Sequence, residues 1–171
     1  MGIAILAKSA VICITLTALG GPAWADWQVK TEVDAFAGPE TVKLIGAFNG
    51  DAGVMYECKA NKFAVHYLEK NIFADFIQDG ASVGEMAIKV NNDNPTIFNN
   101  AHIYRHNRNF ISIRSYDRDK IISSLGALKT AKMDVVAGIQ MKSSTRVSRV
   151  GDFTNASKAV SEFSRKCGVT L

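Results

Sequence analysis

Gly80-Ala81-Ser82-Val83-Gly84 sets a serine between two glycines at the G-x-S-x-G spacing that α/β-hydrolases use to expose a nucleophile. Asp93, His102 and His106 follow in an order that a triad permits. That chemistry needs a strand before the serine and a helix after it, so that the hydroxyl stands on a strained turn. Residues 85–90 instead alternate like a strand, and no oxyanion-type glycine run precedes the motif. A Gly/Ser turn is therefore expected, with a small serine hydrolase using Ser82 as an alternative. His102 and His106 would share one face of a helix and could hold a metal there. On a strand the same spacing sets them about 13 Å apart, too far for one ion, so no metal site is expected.

Cationic side chains form the second constellation. Residues 26–100 carry six Lys and eleven acidic residues, whereas residues 101–171 carry seven Arg and six Lys against five acidic residues. Every arginine lies in that second stretch. Arg105, Arg108, Arg114 and Arg118, interleaved with His102, Tyr104, His106 and Phe110, are the candidate contacts to an anionic partner, because guanidinium groups bind carboxylate and phosphate bidentately. The alternative is that the acidic and basic halves interleave in the fold and neutralise each other. Cation–aromatic mixtures also suit single-stranded nucleic acid.

Residues 1–25 bear on that choice. Lys8 supplies a positive n-region, residues 10–19 form a short apolar core, Gly20-Gly21-Pro22 breaks it, and Ala23-Trp24-Ala25 gives the small-x-small pattern of a signal peptidase site. A retained anchor would want about twenty continuous apolar residues, and Lys8 and the Gly-Gly-Pro break cut this run to ten. The expectation is a cleaved signal peptide, a mature start at Asp26, and a periplasmic or secreted protein for which nucleic acid is not the partner. Cys58 and Cys167 would survive cleavage, and an even pair in an exported chain reads as one disulfide rather than two buried thiols. No C-x-x-C is present, no residue is assigned a catalytic role, and no cofactor is expected.

These groups need elements to hold them. Residues 26–171 contain no repeat, low-complexity tract or Gly/Ser linker and are expected to form a single exported β-rich domain. Residues 27–33 alternate as a strand and residues 41–48 follow Gly38-Pro39 as another. Residues 54–59 and 63–69 form a hairpin that puts Cys58 in the core. Strands are also expected at 72–77, 85–90, 133–140 and 145–150, with a polar, basic hairpin at 101–106 and 110–115. The period then changes. Ile121, Ile122, Leu125 and Leu128 recur at helical spacing after an Asp117 or Asp119 N-cap, and Ala156, Ala159, Val160, Phe163 and Cys167 form the stripe of a final helix capped by Thr154 or Asn155 and ended by Gly168. The expected class is α+β: mainly antiparallel sheet or sandwich, two C-terminal helices, and a disulfide tying the last helix to the central hairpin.

The Trp27 strand, the Val54-Met55-Tyr56-Glu57-Cys58 arm, the basic strands, the helix at 121–131 leading to 133–139, and Arg149-Val150-Gly151-Asp152-Phe153 before a helix with a late cysteine resemble small periplasmic accessory proteins of the type VI secretion-associated TagO/VasI kind. The chain departs from them in ending Cys167-Gly168 where Cys-Trp is common. The resemblance implies a non-enzymatic accessory protein of the bacterial cell envelope, whose partner is an envelope or secretion-system protein or an anionic envelope surface. A second likeness covers one hairpin. Tyr56-Glu57-Cys58 with Phe63-Ala64-Val65-His66-Tyr67 is similar to periplasmic inhibitors of c-type lysozyme, although their Ser-Gly-x-x-Tyr loop is absent. It implies, as the alternative, an inhibitor of a cell-wall lytic enzyme.

Overall fold

Alternating apolar positions make most of this chain into strands that bury one face. The structure, a computed structural model, describes residues 26–33, 38–48, 50–70, 78–141 and 146–171. The expected signal segment and the strand expected at 72–77 lie outside the described residues. The strands are β1 (Gln28–Glu32), β2 (Thr41–Phe48), β3 (Ala52–Lys59), β4 (Lys62–Lys70), β5 (Ala81–Val90), β6 (Thr96–Arg105) and β7 (Phe110–Ser115). After α1 (Arg118–Lys129) come β8 (Val135–Met141), β9 (Arg146–Gly151) and α2 (Ala156–Cys167). Among the described residues the nine strands form one antiparallel sheet in the order β1-β2-β3-β4-β7-β6-β5-β8-β9. Of the two arrangements expected, sheet or sandwich, the fold is the single sheet with two helices.

That sheet is curled, and both helices lie on its inner face. In β2, Val42, Leu44 and Phe48 point inward, and the residues facing the same way in β3 and β4 include Val54, Tyr56, Cys58, Phe63, Val65 and Tyr67, all buried. Ile121, Leu125 and Leu128 of α1 are fully buried among them. The Asp117 carboxylate accepts from Lys120 N at 3.2 Å, satisfying one of the free amides at the start of α1. Tyr56 donates to Ser124 Oγ at 3.1 Å, so the one polar group α1 buries against β3 is paired.

The stripe read from the sequence is the buried face of α2: Ala156, Ala159, Val160, Phe163 and Cys167. Gly168 ends the helix at φ +64°, donating to Ser164 O. The start of α2 falls at Asn155, one of the two expected caps, without the expected side-chain bond. Asn155 adopts a left-handed conformation and its side chain makes no cap bond. Asp152 instead accepts from Thr154 N and Thr154 Oγ1, both at 2.7 Å, so a carboxylate-stabilised turn orders the entry. Cys58 and Cys167 form the expected disulfide with a Cα–Cα separation of 6.2 Å, inside the usual span for such a bridge. Among the described residues no helix is long and apolar enough to cross a membrane.

The two ends of the sheet are drawn together at one corner. Trp27 N donates to Thr154 O at 3.2 Å, and its indole Nε1 donates to Asp152 O at 2.9 Å. Trp27 can lie flat there because Gly46 has no side chain; a Cβ at that residue would sit 2.5 Å from the indole. Arg149 of β9 pairs with Glu69 of β4 at 2.6 Å, and Glu69 also accepts from the Tyr67 hydroxyl. β9 is thus tied to strands far from it in sheet order.

Candidate site on the outer face of the sheet

The interior is occupied by side chains. Phe48, Tyr56, Tyr67, Phe98, Leu125 and Phe163 are fully buried, leaving the polar chemistry to the opposite face. In β3 and β4 that outer face is also largely closed. Met55, Ala64 and His66 are buried there, where the simple alternation of a half-buried strand predicts exposure.

Register builds the cluster. His66 of β4 is opposite Arg114 of β7, which is opposite His102 of β6, and the next outward-facing row places Leu68, Ser112 and Tyr104 side by side. Ser112 Oγ lies 3.0 Å from His66 Nδ1 and accepts from Arg114 Nε at 3.1 Å. The Arg114 guanidinium carbon stands 4.4 Å from the centre of the Tyr104 ring, within cation–π range. Ser112 Oγ, which has two acceptor sites and one proton, thereby links the imidazole to the guanidinium, and the His66 tautomer sets the direction of its bond to Nδ1. Nε2 is a buried atom with no hydrogen-bond partner.

Electrostatics agree with a neutral ring. Burial, reinforced by Arg114, His106 and Lys43, lowers the His66 pKa to about 3. His106 is exposed as a residue, yet burial of its titrating ring, with Arg114 and Lys43, also lowers its pKa, opposed by Glu32 and Glu57. Lys43 itself is paired with Glu32 at 2.6 Å.

The four arginines singled out in the sequence fall on different elements, from the end of β6 to the start of α1. Arg105 ends β6, its backbone N–H donating to Asp79 Oδ1 at 2.6 Å. Arg108 is exposed in the turn that Asn107 organises by accepting from Asn109 N and Phe110 N. Arg114 is the member built into the His66–Ser112–Tyr104 network. Arg118 lies beyond the other end of β7, its guanidinium 5.4 Å from the Phe63 ring. The residues the sequence reading missed are His66 and Ser112. Only strand register aligns them with Arg114, and their spacing along the chain carries no such signal.

The remaining motifs have clear positions. Ser82 lies in β5, which continues to Val90, so no helix follows it. Gly84, at φ +126°, sits where the β5–β6 register shifts. Ser82 is opposite His102, whose Nδ1 donates to Gly80 O at 2.9 Å. Of the hairpin likened to lysozyme inhibitors, Tyr56, Cys58, Phe63, Val65 and Tyr67 face the interior.

Two shallow cavities lie on the outer face. One, of about 320 Å³, crosses β5, β8 and β9 over Ala87 and Gly138. The other, of about 270 Å³, is lined by Ile45, Ala47, Gly53, Leu68 and Phe110 and adjoins the Ser112 row. Comparisons with protein-family models, with curated proteins and with solved structures returned no match for this chain.

Proposed function

We propose that this chain is an exported, non-enzymatic binding or accessory protein of the bacterial cell envelope, secretion-associated in role, that engages an anionic partner through the outer face of its sheet. The observation that carries the reading is the organised cation: Arg114 is held by Ser112 beneath and Tyr104 beside it, on the face the helices do not occupy. A guanidinium fixed in this way loses little further freedom when it pairs with an anion. The disulfide supports an oxidising compartment, and the helix-filled interior supports recognition at the surface rather than carriage of a ligand inside.

The test is co-sedimentation of the oxidised domain, from Asp26 onward, with washed cell envelopes. Binding should weaken at high salt, as screened ion pairs do, and fall several-fold in Arg114→Gln. Absence of association, or association indifferent to both salt and Arg114, would remove the proposal. Slowing of c-type lysozyme by the purified protein would favour the inhibitor alternative instead, and hydrolysis lost in Ser82→Ala would favour the enzyme.

A further inference from the structure

The apolar cavity of about 270 Å³ and the Arg114 cluster share one face and one boundary. Leu68, in the cavity wall, is the register partner of Ser112; Ile45, another wall residue, connects through Met55 to His66 along a single row. Directly opposed residues on antiparallel neighbours have Cβ atoms about 4.5–5.5 Å apart, so the apolar lining ends where the polar donors begin. The floor is held open by glycine: a Cβ on Gly53 would lie 2.8 Å from the Gly46 carbonyl oxygen.

At the polar end the chemistry is specific. His66 Nε2 is buried and unpartnered, a state that native proteins seldom leave unexplained. Arg114 spends Nε on Ser112, which leaves the terminal edge of its fork for a ligand. Lys43, a cation whose field reaches His66, is paired with Glu32. The planar fork beside an apolar wall matches a planar, monoanionic acceptor carrying a tail, and a carboxylate has that geometry. The cavity lies at the small end of the volumes that hold small molecules.

We propose that this strip binds a single-chain amphiphile bearing one carboxylate, its tail over Leu68 and Phe110 and its carboxylate on the Arg114 fork. His66 Nε2 is closed to bulk water, so the carboxylate bears on the Arg114 fork and reaches the imidazole only through the Ser112 link. The proposal rests on the outer-face reading of function and adds the ligand class.

The experiment is a nuclear magnetic resonance titration of the oxidised domain with decanoate, decanol and acetate, each below any micellar concentration. Decanoate should shift the Leu68 methyls and the His66 ring nitrogens, and should bind about tenfold or more tightly than decanol, the difference one charge-assisted contact supplies, and about tenfold or more tightly than acetate, which lacks the buried tail. Arg114→Gln should erase that margin over decanol while leaving decanol binding as it was. If that variant loses its native spectrum, Arg114→Lys, which keeps the charge without the fork, should lose most of the margin. Equal binding of decanol or acetate, or shifts confined to the groove over Ala87 and Gly138, would overturn the site. Envelope association without decanoate binding would overturn this ligand alone, and decanoate binding without envelope association would overturn the envelope role alone.

Discussion

His66 is the residue with the most to lose as pH falls. Its folded pKa of about 3 lies below the unfolded value of 6.5, so the unfolded chain takes up the proton first. The stability associated with the neutral ring is fully present above pH 6.5 and is lost as pH drops toward 3, by up to about 1.4 kcal/mol per pH unit. Urea unfolding of the wild type should therefore lose roughly 2 kcal/mol more than His66→Gln between pH 7 and pH 5. Equal losses in the two proteins would show that the ring is not held neutral. Ser112→Ala removes the hydroxyl that joins His66 to Arg114. It should cost about 1–3 kcal/mol, since it strips a buried partner from both, and it should also weaken envelope binding if Ser112 positions the guanidinium. At this scale the sequence was half legible. Arg114 and Tyr104 stand in a visibly cationic, aromatic stretch, but His66 and Ser112 join them only because β4, β7 and β6 align in register, and register is not written in local spacing.

Elements were far more legible, because each rests on a local rule. The period-two hairpin of β3 and β4, the Asp117 cap, the apolar stripe of α2 and its Gly168 stop all follow from short-range patterns and are found where the residues place them. The α2 start falls at Asn155, one of the two expected caps, but its side chain makes no cap bond, and the turn before it is ordered by Asp152 accepting from Thr154. Asp117→Ala should lower stability by about 1 kcal/mol, read as a shift in urea midpoint without a change in slope. The Cys58–Cys167 bridge closes a sequence separation of 109 residues and joins α2 to β3. Its removal in the Cys58→Ser, Cys167→Ser double variant should cost about 2–5 kcal/mol. Hydrogen exchange in that variant should rise first in α2; uniform exchange across the chain would argue that α2 is held by packing alone.

On the scale of the whole molecule, the corner where the sheet ends meet was invisible in the sequence, because it depends on contacts between opposite ends of the chain. Gly151 shows how tightly it is packed: a Cβ there would fall 1.9 Å from Phe48 Cδ1. Gly151→Ala should therefore cost about 1–3 kcal/mol by overpacking, with part of the loss recovered in Gly151→Ala combined with Phe48→Leu. Strict additivity of the two changes would mean that the corner does not couple them. The curl that makes this corner also gives the helices the inner face and leaves the outer face uncovered by them, and the proposed function places this domain, freed of its signal segment and oxidised, outside the cytoplasm. Intact-mass measurement of the protein recovered from its native host tests that central claim most directly. The account predicts a periplasmic or secreted species that begins at Asp26 and is lighter than its reduced form by the two hydrogens lost to one disulfide. A full-length chain recovered from the cytosol with its cysteines reduced would contradict it.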